Sequence, residues 1–235
     1  MEFLDPGQHP DVIPVSPAAE QAEKARLAGE LEDLRARYAA LPETAADERA
    51  RLALAMARNL AALEEGAEAW SLARPAFDHF LAKEDWQAAA EACEVLYLAD
   101  QPGSLAALGQ GIWLAVTYPI DPEVTLTLLQ HLIDDTPPDA DGAAVAAATA
   151  AYVADLRAPE DRREDLLFFT QQMLGNVARR HSQVEDQAQF DYWIEKLELD
   201  QPDKFLVRLR NIVDVLVQDD WWFDREALQA RIPED

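Results

Sequence analysis

The spacing of apolar residues between short polar breaks constrains this sequence more than any other feature. Residues 70–100 show it best, because aromatic residues and alanines recur at helical spacing on both sides of Lys83-Glu84-Asp85. A break of about three residues is enough to reverse the chain between two antiparallel helices. The pattern therefore predicts a helical hairpin made of residues 67–82 and 84–100.

Comparable segments follow one another from residue 18 to residue 218. Asp121-Pro122-Glu123 predicts a helix start, with a capping aspartate and proline at the first helical position. Thr44 and Ser182 are predicted to cap two further helices, each with an acid three residues later. The β-branched residues of 203–218 leave a strand as the alternative there. The chain is predicted to be all-α, with roughly ten helices packed as antiparallel hairpins.

Composition shifts divide the chain into three parts. Prolines at positions 6, 10, 14 and 17 predict that residues 1–17 form an extended or disordered tail. This tail either packs against the body or serves as a peptide for a partner. Residues 18–218 form the predicted helical-repeat domain, and residues 219–235 form a predicted acidic-aromatic hook at the C-terminus.

Length and composition narrow the possible classes of protein. A chain of 235 residues can bury a core without disulfides, and its single cysteine, Cys93, has no partner for one. No apolar run approaches the roughly 20 residues that span a bilayer, and the N-terminus lacks the order of a signal peptide. We therefore expect a cytoplasmic protein with no membrane association.

Charge is the strongest compositional bias, with 45 acidic against 20 basic residues and a formal net charge of −25. Between Lys83 and Arg157 the sequence contains acids but no Lys or Arg. A GC-rich genome and a salt-rich cytoplasm are one explanation of the acidity; attraction of basic partners is the other. The gap predicts one coherent negative face, and it argues against nucleic-acid binding, which needs clustered cations.

The segment Phe80-Leu81-Ala82-Lys83-Glu84-Asp85-Trp86-Gln87-Ala88-Ala89 resembles the turn and second helix of a tetratricopeptide repeat. Asp85-Trp86 matches the family's acid–aromatic pair, and Ala89 matches its small residue at the helix crossing. Leu174-Gly175-Asn176 and Leu197-Glu198-Leu199-Asp200-Gln201-Pro202 are similar to the family's helix signatures. The resemblance implies a stack of hairpins in a tetratricopeptide-like solenoid. It does not imply the family's carboxylate clamp, whose groove is lined by Lys and Arg.

No set of residues has the spacing of a reactive centre, and the chain is predicted not to be an enzyme. The four histidines are far apart in the sequence; His79 and His131 are predicted surface or packed imidazoles, with a ligand role as the alternative. Cys93 is predicted to be a small buried hydrophobe rather than a nucleophile. No catalytic, metal or cofactor site is predicted, and only 8 glycines leave little room for a phosphate loop.

The candidate binding residues lie in the acidic middle and in the hook. They are predicted to contact a partner protein or peptide, which would be basic: Glu84, Asp85, Glu91, Glu94, Asp121, Glu123, Asp134, Asp135, Trp221, Trp222 and Phe223. The three adjacent aromatic residues have two interpretations. They form either a hook that caps the open end of the solenoid or an anchor for a partner's pocket.

These features favour a non-enzymatic adaptor or dedicated chaperone with an acidic helical-repeat surface. One alternative is a redox-enzyme maturation chaperone, because Pro75-Ala76-Phe77-Asp78-His79 loosely resembles the Pro-x-Asp-His motif of that all-helical family. Another is a nucleic-acid mimic, in which arrayed carboxylates copy phosphates. The sequence indicates neither the identity of the partner nor the oligomeric state.

Overall fold

In the computed structural model, which describes residues 16–231, the chain folds into eleven helices. Their bounds are α1 Pro17–Ala40, α2 Ala46–Ala62, α3 Gly66–Ala82, α4 Trp86–Leu98, α5 Ser104–Thr117, α6 Pro122–Asp135, α7 Asp141–Arg157, α8 Arg163–Ser182, α9 Gln187–Lys196, α10 Pro202–Val217 and α11 Arg225–Gln229. None of the described residues lies in a strand. The all-α class is confirmed, and the strand alternative for residues 203–218 is wrong.

Helices that are consecutive in the sequence pack against each other from α1 to α9. In addition, α2 contacts α4, α4 contacts α6, and α6 contacts α8, so the even-numbered helices neighbour one another along one side. Helix α10 breaks this order, because it lies against α5 and α7 rather than against α9. The C-terminal part of the chain therefore returns to the middle of the molecule.

Helices α5 and α7 lie at the centre, and small residues occupy their closest contacts with neighbouring helices. Gly109 on α5 faces α10 so closely that a Cβ there would lie 2.6 Å from Val217 Cγ2. Gly111 faces α4, where a Cβ would lie 2.8 Å from Cys93 Cβ. The alanines of α7 are buried almost all round, between α6, α8 and α10. Short side chains let the backbones approach closely, as the alanine density predicts.

Arginines from neighbouring elements bind the free carbonyls at helix C-termini. Arg157 donates to the carbonyls of Ala115 and Val116, both at 2.7 Å, at the end of α5. Arg180 donates to Ile133 at the end of α6 (2.9 Å), and Arg208 to the residue after α9. The last carbonyls of a helix lack intrahelical donors, so a guanidinium satisfies them and suits the negative end of the helix dipole. Burial lowers the pKa of Arg157.

The helix starts confirm one predicted cap and correct two. Asp121 accepts a hydrogen bond from the backbone nitrogen of Glu123 (2.9 Å), as predicted. Thr44 does not cap α2, which begins after Ala45 without a side-chain cap. Ser182 belongs to the last turn of α8, and Asp186 caps α9 instead through Gln189 N (2.9 Å). The motif from Ser182 to Glu185 failed because an equivalent pattern, Asp186 with Gln189, follows four residues later.

The predicted tail and hook lie partly outside the described residues. Of the tail, residues 1–15 are outside. Pro17 is the first residue of α1, and Ser16 caps this helix, its hydroxyl accepting from Ala19 N (3.2 Å). In the predicted hook, residues 219–224 are not helical, α11 follows, and residues 232–235 lie outside the described part.

Gly66 is the first residue of α3. A Cβ at this position would lie 1.9 Å from the backbone oxygen of Ala99, so only glycine allows α3 to approach the end of α4. Gly29 in α1 is the opposite case, because nothing lies within 4 Å of a Cβ built there. The two glycines therefore predict opposite effects of the same substitution.

We expect Gly66→Ala to lower the free energy of unfolding by about 3 kcal/mol, because backbone must move to admit the methyl group. We expect Gly29→Ala to raise it by about 0.5–1 kcal/mol through helix propensity alone. Urea denaturation followed by circular dichroism measures both. A neutral Gly66→Ala would contradict the close approach of α3 to the loop after α4.

Candidate functional site

Five of the predicted binding carboxylates already pair with arginines in the fold. Asp85 lies 2.8 Å from Arg51, and Glu91 lies 3.3 Å from Arg58. Arg162 contacts both Asp121 (3.2 Å) and Glu123 (2.5 Å), while Glu84 lies 3.2 Å from Arg231. All four arginines come from outside the window that lacks basic residues. Exposed ion pairs of this kind add little stability, but they do offset the local negative charge.

A group of carboxylates at the ends of α4 and α6 has no such partner. We call it the acidic patch, and it consists of Glu94, Asp100, Asp134 and Asp135. Among residues 16–231, no Lys or Arg nitrogen lies within 4.0 Å of any of the four. The negative ends of the two helix dipoles add to their field. Three of the four were predicted as binding residues, and Asp100 was not.

Two ring side chains connect the members of the acidic patch. The Tyr97 hydroxyl donates to Asp135 (2.9 Å), and the Tyr97 ring lies 4.8 Å from the His131 ring between centroids. Burial, and then the bond to Asp135, raises the pKa of Tyr97, so it stays a hydrogen-bond donor. His131 Nε2 is buried without a hydrogen-bond partner and lies 3.8 Å from Glu94. A proton on this nitrogen would face a carboxylate.

An open apolar groove lies beside the acidic patch, between α6 and α8. Its cavity of about 370 Å³ is lined by Leu126, Leu166 and Phe169, with Glu123, His131 and Asp134 at its edge. Phe169 is 46% exposed and its neighbour Phe168 is 52% exposed. Large aromatic side chains left in solvent beside a groove are typical of interaction surfaces. The arrangement combines an apolar floor with negative charge at the rim.

The three predicted aromatic residues lie elsewhere, against α3 and α5. Trp222 packs on Trp70 and Phe77, with ring centroids 6.0 and 5.2 Å apart. Phe223 packs on Trp113, and Trp221 packs on both of these rings. All three are partly buried, so the structure separates them from the acidic patch.

The histidines of residues 16–231 and Cys93, which are the remaining candidates for a reactive site, lie apart from one another. His79 lies 2.7 Å from Asp47, and His181 lies 3.2 Å from Asp141, while His9 lies outside the described residues. Within residues 16–231, no group of three His, Cys, Asp or Glu side chains is placed to hold a metal ion. Cys93 is fully buried, and burial raises the pKa of its thiol. Its prediction as a small buried hydrophobe is confirmed.

Comparison with models of known protein families, with curated proteins and with solved structures gave no match for this chain. None of the helices between residues 16 and 231 has both the length and the apolar character needed to cross a bilayer. The evidence for the tetratricopeptide resemblance is therefore the match of residues 80–89, 174–176 and 197–202 to the family's signatures, together with the all-helical packing.

Sequence reasoning missed the apolar side of the site. Leu126, Leu166 and Phe169 have the spacing of ordinary core residues; in the structure the two leucines are nearly buried, while Phe169 stays 46% exposed beside them. It also missed Gln110, which is completely buried in α5. A lone polar residue in the apolar run of 105–116 was the available signal, since buried amides need partners.

We expect Cys93 to react with a disulfide reagent such as DTNB at least ~100-fold more slowly in the native protein than in urea. The thiolate is the nucleophile, and both burial and the raised pKa of the thiol suppress it. Absorbance at pH 8 measures the rate. Rapid labelling of the native protein would contradict the burial of Cys93.

Proposed function

We propose that this chain is a non-enzymatic interaction protein, an adaptor or dedicated chaperone that binds a basic protein or peptide. The binding surface is the acidic patch together with the apolar groove between α6 and α8. The helices are proposed to form a tetratricopeptide-like solenoid, in which consecutive hairpins present this surface. The consecutive packing of α1 to α9 and the buried Ala89 where α3 meets α4 support that arrangement.

The observation that carries the proposal is the contrast between paired and unpaired carboxylates. Arginines contact Glu84, Asp85 and Glu91, whereas no Lys or Arg nitrogen of residues 16–231 lies within 4.0 Å of Asp134 or Asp135, and Asp134 lines the apolar groove. Unpaired carboxylates raise the negative potential where field lines converge in a concave surface. An amphipathic helix with an apolar stripe and Lys or Arg at its edges would match both parts of the surface.

We expect binding of a basic amphipathic peptide to weaken at least ~10-fold between ~50 and ~500 mM salt, because salt screens the carboxylates. The probe is a fluorescent helix of leucine and lysine, measured by anisotropy. A scrambled peptide of the same composition has no apolar stripe and should bind more weakly. Salt-independent binding would remove the electrostatic part of the proposal.

We expect the double variant Asp134→Asn, Asp135→Asn to bind this peptide ~5–10-fold more weakly than the original chain. Each asparagine keeps a similar shape and a carbonyl acceptor, for Gln130 at position 134 and for Tyr97 at position 135, while removing one charge. The matched control is Asp33→Asn with Glu195→Gln, which removes two exposed charges from α1 and α9.

The control variant has the same net charge as the patch variant, so it separates local from global electrostatics. Equal losses of affinity in both variants would mean that the peptide responds to the overall charge of −25 and not to the acidic patch. Circular dichroism of both variants verifies that the helices are intact.

A further inference from the structure

The chain leaves α10 through a backbone conformation that is unusual for its residue. Gln218 has φ 53° and ψ −122°, a region that residues with a Cβ rarely adopt. The segment 219–224 that follows is not helical, although α10 before it and α11 after it are. We call residues 219–224 the aromatic segment. The fold holds it against α3 and α5 at the cost of strain at Gln218.

We call the surface of α3 and α5 on which this segment packs its seat. Aromatic side chains and an arginine form it. The Arg74 guanidinium lies over the Trp222 ring, with Cζ 4.2 Å from the ring centroid. Trp222 also meets Phe77 edge-on at 5.2 Å, and Phe223 meets Trp113 at the same centroid distance. Contacts of this type stabilise the packed segment beyond the effect of the apolar area that they bury.

Gln110 binds the backbone of the aromatic segment with both ends of its amide. Its Oε1 accepts from the backbone nitrogen of Trp222 (2.8 Å), and its Nε2 donates to the carbonyl of Asp220 (3.4 Å). Gln110 is completely buried in an otherwise apolar helix. A buried amide is costly unless it is hydrogen-bonded, so this residue is in place to hold the non-helical backbone of the aromatic segment.

The contact between the aromatic segment and its seat is separate from the contact of α10 with α5 and α7. Phe205, Leu209, Val213 and Val217 of α10 pack on α5 and α7 with full burial, as core residues do. The aromatic segment is only partly buried, and Gln110 contacts its backbone rather than its side chains. Backbone hydrogen bonds combined with aromatic pockets are how proteins recognise extended peptides. The aromatic segment is thus seated like a ligand.

We propose that Trp70, Arg74, Phe77, Gln110 and Trp113 form a peptide-recognition site that the chain's own aromatic segment occupies. Its ligand in trans is a non-helical segment of another protein with two adjacent large aromatic residues and basic flanks. Such a segment would displace residues 219–224 and release the strain at Gln218. This site is distinct from the acidic patch and does not depend on the function proposed for it.

Charge complementarity is the reason for assigning basic flanks to the ligand. The resident segment carries Asp219, Asp220 and Asp224, yet it sits on a protein with net charge −25. Of these acids, Asp224 caps α11, while Asp219 and Asp220 are exposed without a Lys or Arg partner in the described part of the chain. A ligand with Lys or Arg at these positions exchanges repulsion for attraction and competes more effectively.

The test uses the full chain and a fluorescent peptide with the sequence of residues 217–227, in which lysine replaces each aspartate. The resident segment competes with the peptide, so weakening it should raise the peptide's apparent affinity. We expect Trp222→Ala to bind the peptide at least ~10-fold more tightly than the original chain. Adding Gln110→Leu to this variant should remove most of that gain.

Three controls separate recognition from charge and from loss of fold. A peptide with alanine for both tryptophans keeps every lysine and should not bind. The variant Asp134→Asn, Asp135→Asn should bind the peptide as the original chain does. Hydrogen exchange of the unaltered chain provides a measurement that needs no variant, because saturating peptide should increase exchange of the Trp222 amide.

Several results would overturn the proposal. If Trp222→Ala gains no affinity and saturating peptide leaves exchange at Trp222 unchanged, the aromatic segment is a fixed part of the core. If the alanine peptide binds equally well, the interaction is one of charge alone. A concentration-dependent dimer whose segment resists the peptide would identify a second copy of this chain as the occupant.

Discussion

The packing of α10 against α5 and α7 is the contact on which the rest of the structure depends. It covers the central helices on a side that consecutive hairpin packing leaves open, and it brings residues 218–231 across α5 to α3. The contact requires Gly109, since a side chain there would occupy the space of Val217 and Leu216. A methyl group placed so close to backbone and packed side chains has no room to relax in a close-packed interior. One glycine thus decides whether the C-terminal helix reaches the centre.

Arginine placement organises the charge of this acidic protein. The basic residues are few, and the fold uses them twice: at helix C-termini and opposite selected carboxylates. Glu94, Asp100, Asp134 and Asp135, at the ends of α4 and α6, are among the carboxylates of residues 16–231 that receive no arginine. The distribution of cations therefore shapes the negative potential of the surface, even though acids are spread over the whole sequence.

The acidic patch and the seat of the aromatic segment differ in whether the chain itself supplies a partner for the surface. At the acidic patch, no Lys or Arg nitrogen of residues 16–231 lies within 4.0 Å of the carboxylates, and the neighbouring Phe169 is 46% exposed. At the seat of the aromatic segment, the chain supplies its own partner, down to the two hydrogen bonds of Gln110. The acidic patch is recognisable as an interaction surface by its carboxylates without a Lys or Arg partner. The seat is recognisable by the segment of the chain that occupies it.

The sequence by itself determined the helices, since apolar spacing, Asp121-Pro122 and the polar breaks act within a few residues. It also indicated buried alanines in α7 and the burial of Cys93, because small apolar residues at helical spacing belong to close helix contacts. The cap predicted at Ser182 failed because Asp186 caps α9 instead, whereas α2 begins after Ala45 with no side-chain cap in place of Thr44. Only the tertiary structure decided the return of α10, the pairing of Arg51, Arg58 and Arg162, and the seat of Trp222. These contacts join residues that are far apart in the sequence. The packing of the helices, and not the local sequence pattern, fixes which of these residues meet.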